Sequence, residues 1–425
     1  MPSKVVDTAS GSRHMFEGVR TRPTITFLLI LAVLLPSVVA YGILYRLALA
    51  VPYQDDYLAI VAFAADYSQL PTLKAKVLYI ATAQSNEYKL GFEHSIVASE
   101  VELTRHLSFA FLTAVGDLSL LPIGYLLWLT YQEAEVGLGR RLLHFLPISL
   151  LFFSLSYWEN LNWAMAGLQN TPIVLFSLLA IYLLASEKVF RTARAYPLPA
   201  CLAASLAAFT SANGFLLAPV GLLILLPRRA YTQSLAWCAS FIAPLTAYLY
   251  HYERPVEPLY RAFYITRPLT FLAFFGGVVP FRWVAALLGL VTLVVFLLAV
   301  RFRYDRTNPT AFYFALWIVA TGALVAWVRG GAGFLVASRY SIYSNLFLIF
   351  CYAFLAHGLP GRLSLFNPKR FYITSVVLAA AICLTTDLDA YQRLAARRRM
   401  VLSTFEFYRS RPAFNTPLIN SLLER

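Results

Sequence analysis

Four clusters of polar residues interrupt an otherwise apolar chain, and each holds side chains able to do chemistry. The first is Tyr53-Gln54-Asp55-Asp56-Tyr57. Adjacent carboxylates raise at least one pKa, which suits a general base near neutral pH, and such a pair can also hold a cation. An Asp ahead of a helix serves equally well as an N-cap. The second cluster is Asn86-Glu87-Tyr88-Lys89-Leu90-Gly91-Phe92-Glu93-His94, followed by Glu100, Glu102 and Arg105. Counted on a helix from His94, positions 94, 98, 102 and 105 share a face. That face brings His94, Glu102 and Arg105 together, able to bind a phosphate through Arg and His with carboxylates on sugar hydroxyls. A solvated interfacial helix has the same pattern.

The third cluster is Trp158-Glu159-Asn160-Leu161-Asn162-Trp163, with Gln169-Asn170 beyond it. Trp at the end of a membrane helix is an ordinary interfacial anchor. A carboxylate and amides beside indole rings are also typical carbohydrate-binding chemistry. The fourth is Arg329-Gly330-Gly331-Ala332-Gly333, then Ser338-Arg339-Tyr340. An Arg after a glycine run can clamp a lipid phosphate through bidentate contacts, or snorkel to the headgroups. HExxH, P-loop, CxxC and GxSxG patterns are absent.

The elements that must carry these clusters follow from composition. Of 425 residues, 59% are hydrophobic and 13% charged, against about 25% charged in soluble domains. The excess lies in apolar runs about as long as a helix needs to cross a bilayer. A soluble enzyme, a disordered chain and a small secreted scaffold are excluded; the expectation is an all-α, polytopic membrane bundle. Eleven spans are expected at roughly 25–49, 107–131, 142–157, 171–186, 197–212, 215–227, 233–252, 282–300, 309–328, 342–357 and 371–387. The pair at 197–227 is half-length, turning at Asn213-Gly214. The net charge of +14 reads as cytoplasmic Lys and Arg rather than as a nucleic-acid surface, and the positive-inside bias puts the N-terminus in the cytoplasm. Cys201, Cys238, Cys351 and Cys383 lie in apolar runs without metal-ligand spacing.

Three segments are expected. Residues 1–24 are a cytoplasmic N-terminal segment. Residues 25–387 are the membrane domain, whose outer loop 50–106 carries the acidic pair on short helices near 57–67, 72–82 and 95–103. Residues 388–425 are a basic amphipathic tail, with Arg397-Arg398-Arg399 facing solvent or headgroups.

The order of the motifs resembles the GT-C glycosyltransferases, multi-span enzymes that take sugars from polyprenyl-phosphate donors, and within them a bacterial group. The matching residues are Tyr53–Tyr57, Asn86–His94, Trp158–Asn160, Ala212–Gly214 and Ser338–Tyr340. One motif departs from the pattern: Asn86-Glu87 is separated from Glu93-His94, and Ser95 stands where Arg is expected.

The resemblance implies an inverting sugar transfer on the outer face of a bacterial inner membrane, to a glycan, lipid or protein acceptor. It implies Asp55 or Asp56 as the base. Arg339 with Lys89 or Arg105 would hold the donor phosphate, and Glu93, His94, Glu159, Asn160 and Tyr340 would line the substrate. No cofactor is required, although the acidic pair has the chemistry for a divalent metal. The rival reading is a transporter or flippase of a glycolipid or small solute, and charges gathered at one rim rather than mid-membrane favour the enzyme.

Overall fold

The computed structural model describes residues 23–131, 137–186, 197–254, 266–330, 336–358 and 367–409. The N-terminal segment, the glycine run from 331, the proline-bearing connection around 255–261 and the tail beyond 409 lie outside the described residues. Among those described, the regular structure is helical and no β-strand occurs. Hydrocarbon offers no partner to a free N–H or C=O, so a crossing segment must close its own hydrogen bonds.

The first crossing helix, α1, runs Pro23–Leu47. The long connection after it enters through a π-helical turn, Tyr57–Ala62, and folds as α2 (Phe63–Gln69), α3 (Leu73–Thr82) and α4 (Gly91–Thr104). Then come α5 (Phe109–Leu118), α6 (Leu120–Tyr131), α7 (Leu138–Phe152) and α8 (Ala164–Ala185). The middle of the chain holds α9 (Leu198–Thr210), α10 (Leu217–Leu225), α11 (Tyr231–Ala239), α12 (Ile242–Leu249) and α13 (Arg267–Gly276). The last are α14 (Arg282–Arg301), α15 (Tyr304–Thr307), α16 (Pro309–Arg329), α17 (Ser341–Ala353) and α18 (Pro368–Arg409).

Eight segments among the described residues are long and apolar enough to cross a membrane: 23–47, 109–131, 138–157, 164–185, 282–301, 309–329, 338–357 and 370–406. They coincide with eight of the eleven expected spans. The other three are shorter pieces. Helices α9 and α10 form a half-length pair, and the expected span at 233–252 breaks at Ser240-Phe241 between α11 and α12. Helix α13 has no counterpart in the sequence reading. The boundary expected at 388 falls inside α18, which runs unbroken to Arg409.

Local chemistry sets many of the ends. The side chains of Thr72, Ser108 and Asn308 accept from Ala75, Phe111 and Ala311 N–H at 3.2, 3.2 and 3.1 Å, capping α3, α5 and α16. Two large hydrophobic cores result among the described residues, with a third, small cluster at Ala273, Ala285 and Ala286. The larger fills the bundle around Trp237, Trp317, Phe274, Phe347 and Phe350. The second joins Ile60, Phe63, Tyr67, Val97 and Val101 of the α2–α4 cap to Trp163, Met165 and Leu168 at the start of α8. The cap is thereby fixed to one end of α8, the end where the polar clusters meet.

Close backbone approach tightens that end. A Cβ on Gly167 would lie 2.7 Å from the Asn160 carbonyl, and one on Gly116 would lie 2.8 Å from the Gly167 backbone. Thr171 Oγ1 donates to Gly116 O at 2.7 Å across the same crossing. Backbone cannot yield as a flexible side chain can. Gly167→Val should therefore push the 158–162 turn off α8 and destabilise the protein by about 2 kcal/mol or more, read as a lower melting temperature in detergent.

Candidate functional site

Helix α1 ends at Leu47, and Gln54 adopts φ 46°, a left-handed bend that turns the chain into the π-helical turn. The bend directs Asp56 inward. Its Oδ1 accepts from Met165 N–H and its Oδ2 from Tyr53 N–H, both at 2.9 Å. Met165 is in the first turn of α8, so Asp56 takes up one of that helix's unpaired N–H groups at the positive end of its dipole. The side chain is 1% exposed. Loss of water pushes its pKa up to about 7, against the opposing pull of the two N–H bonds. Asp55 is half-buried, and its carboxylate accepts no hydrogen bond among the described residues. Of the acidic pair, Asp56 is committed to the fold and Asp55 is available.

Two guanidinium groups gather around Tyr53 and Trp163, which flank this turn and the start of α8. Arg339 lies over the rings of Trp163 and Tyr340, 5.5 Å from each centroid. Arg397 lies between Tyr53 and Trp158, at 4.6 and 4.3 Å. Glu159 links them: its Oε2 accepts from Arg339 backbone N–H at 3.1 Å, and its Oε1 from Arg397 at 3.4 Å. Asn160 Nδ2 donates to Arg339 O at 2.9 Å, and Asn162 Nδ2 to Leu47 O at 2.6 Å. Tyr53 meets Trp163 edge-on at 5.6 Å. Arg397 is only 7% exposed, yet one terminal nitrogen, Nη1, has no partner among the described residues. The arrangement is an aromatic-walled cluster with one carboxylate between two cations.

Other expected site residues go elsewhere. Lys89 Nζ donates to Ala247 O at 3.3 Å and to Tyr250 O, capping the carbonyl end of α12 rather than a phosphate; burial lowers its pKa. Arg105 ends α4 in the left-handed region, its side chain 78% exposed and paired with Glu102 at 3.5 Å. Glu102 also pairs with Lys76. His94 is fully buried, stacked on Phe63 at 4.0 Å, with Nδ1 3.4 Å from Ile80 O. Burial lowers its pKa to about 4, so it is a neutral ring in the cap core. Helix α4 ends before Arg105, so the expected shared face does not form: Glu102 and Arg105 pair in the open, and His94 turns into the cap core. Glu93 is 1% exposed with neither carboxylate oxygen partnered, and burial, with Asp56 and Asp55 nearby, drives its pKa well up. Tyr340 stays at the site. Arg329 is held by Glu87 and the Tyr88 hydroxyl.

At the acidic pair each Asp56 oxygen already accepts one N–H donor. Among the described residues no group of three His, Cys, Asp or Glu side chains is arranged to bind an ion.

The sequence reading placed Arg397 in a solvated basic tail, and the structure corrects this. Its signal was present as spacing: Cys383, Ala390, Leu394, Arg397 and Val401 are all buried on one stripe of α18, while Arg398 and Arg399 are exposed. Two further positioning residues were missed. Asp387 Oδ1 accepts from Leu155 N–H at 2.7 Å, and Asn345 Nδ2 donates to Leu151 O at 2.9 Å and to the Ser154 and Ser156 hydroxyls. Both fix the end of α7, from which the Trp158–Asn160 turn departs.

No protein-family model, curated protein or solved structure matches this chain.

The buried carboxyls make stability depend on pH. Glu93 and Asp56 hold protons in the folded protein that the unfolded chain releases near its ordinary carboxylate pKa. Stability therefore falls as pH rises from about 4 towards 7. His94 works in the opposite direction between about 4 and 6.5. Glu93→Gln removes one destabilising contribution. The variant should melt a few degrees above wild type near pH 8 and level with it near pH 4.5; a lower melting point at pH 8 would show Glu93 to be ionised and held.

Proposed function

We propose that the chain is an integral membrane glycosyltransferase that moves a sugar from a polyprenyl-phosphate donor to a hydroxyl of a glycan, lipid or protein acceptor. The observation that carries the reading is the meeting of Arg339, Arg397 and Glu159 among aromatic rings at one end of a helical bundle, against Tyr53 of the turn that holds the acidic pair. The order of motifs described above supports the same class.

In this reading Asp55 accepts the proton of the acceptor hydroxyl. The acceptor oxygen forms a bond to the anomeric carbon as the bond from that carbon to the phosphate oxygen breaks, inverting the centre. The leaving group is polyprenyl phosphate, which gains negative charge. In this reading Arg339 and Arg397, whose Nη1 has no partner among the described residues, stabilise that charge. Arg397 takes the role first expected of Lys89 or Arg105. The half-buried rings of Tyr53, Trp158 and Tyr340 keep part of their apolar surface for sugar C–H groups, while Trp163 is buried behind Arg339. Asp56 positions the loop and α8 without exchanging a proton with substrate.

A transporter is the second reading, favoured by one observation. Asp117 is buried within a crossing segment, and its Oδ1 has no partner among the described residues. Buried intramembrane carboxyls are a hallmark of ion-coupled transport.

Release of polyprenyl phosphate from a panel of radiolabelled polyprenyl-phosphate sugars, by purified protein in detergent, separates the two. Asp55→Asn should lower release about 100-fold or more, and Arg397→Gln by a similar factor. Asp117→Asn should leave it within about twofold. No release by folded wild type from any donor would reject the transferase and promote the transporter.

A further inference from the structure

The opposite end of α8 holds a second site. A cavity of about 250 Å³ lies where the end of α10, the turn after it, α15 and the start of α16 meet, lined by Ile224, Arg228, Asp305, Arg306 and Tyr313 among others. Its guanidinium from Arg228 is planted on the carbonyl end of α8, donating to Leu184 O at 2.6 Å and Ala185 O at 3.0 Å. That placement sets a cation at the negative end of the helix dipole and holds it rigid. The one lining carboxylate, Asp305, is gripped by Arg303 through two bonds of 3.1 Å, so its charge is neutralised locally. Tyr313 Oη donates to Leu223 O at 3.3 Å. Among the described residues the lining thus presents the guanidinium groups of Arg306 and of Arg228, the latter already engaged with the end of α8, and its carboxylate is paired with Arg303.

Its surroundings select the form of anion. Leu223 and Leu226, on the same turn of chain as the lining residues, are 52% and 48% exposed. Ile224 forms an apolar wall. The cavity lies at the ends of two crossing segments, 282–301 and 309–329. A basic floor with an apolar rim at the end of membrane-crossing helices suits an amphiphile, the phosphate inside and the chains along the outer helix surface. The arginine-rich connections there belong to the side that the positive-inside bias makes cytoplasmic, where anionic lipids concentrate.

We propose that this cavity binds the headgroup phosphate of an anionic phospholipid, through Arg228 and Arg306, at the end of the bundle remote from the aromatic-walled site. The site is independent of the sugar-transfer reading.

Full-length protein, delipidated in uncharged detergent, would be titrated with phosphatidylglycerol, phosphatidylcholine and free glycerol 3-phosphate, with bound ligand counted by native mass spectrometry. Wild type should retain phosphatidylglycerol at about tenfold lower concentration than phosphatidylcholine. Arg306→Glu, an exposed change that spares the core, should remove that preference. Arg229→Glu, an exposed neighbour outside the cavity lining, should keep it. Equal losses in the two variants would show diffuse surface charge and overturn the proposal. So would loss of preference in Arg397→Gln with Arg306→Glu unaffected, which would put the lipid phosphate at the other end. Glycerol 3-phosphate binding as tightly as the lipid would assign the cavity to a free phosphate instead.

Discussion

The buried carboxylate of Asp56 joins parts of the chain that otherwise have no reason to meet. One oxygen closes the turn at Tyr53 and the other receives the Met165 N–H in the first turn of α8. A helix start surrounded by protein and lipid has no water for its unpaired N–H groups, and leaving one bare costs about 1–3 kcal/mol. Meeting that need with a side chain from the preceding extramembrane segment registers the α2–α4 cap against the bundle. It also fixes Tyr53, which forms one face of the Arg397 sandwich and the edge contact to Trp163.

The two ends of α8 show how one helix organises two chemistries. Its N-terminal end accepts a carboxylate, Asp56, and its C-terminal end accepts a guanidinium, Arg228. Both placements follow the sign of the helix dipole. Each leaves a charged environment at its own end: one carboxylate between two arginines among aromatic rings at one, and a compact basic cavity at the other. Between them the crossing segments are apolar, with interior polar contacts such as those of Asn345 and Asp387 spent on the backbone at the end of α7.

Burial divides the polar residues of the first two clusters into different kinds. Asp56 and Glu93 are both about 1% exposed, but one has two N–H donors and the other none. Asp55, one residue from Asp56, stays accessible because the left-handed bend at Gln54 and the π-helical turn send neighbouring side chains in different directions. Lys89 and Arg105 illustrate the same point for cations. One is consumed by a helix end and the other by solvent and Glu102. Arg339 and Arg397 stay together, because aromatic rings flank their planes and the one carboxylate between them, Glu159, is shared.

By itself the sequence determined that this is a helical membrane bundle, where eight of its crossing segments lie, and that short helices fill the first long connection. Those properties follow from local hydropathy and periodicity, which act over one helix length. It also picked out Asp55, Glu159, Asn160, Arg339 and Tyr340, whose neighbours along the chain are polar or aromatic. Only the tertiary structure decided that Arg397 belongs beside them, that Lys89, His94 and Arg105 do not, and that the span expected at 233–252 is two helices. The reason is physical: a charge's role is set by what desolvates and pairs it, and for Arg397 those partners, Tyr53, Trp158 and Glu159, lie more than two hundred residues away.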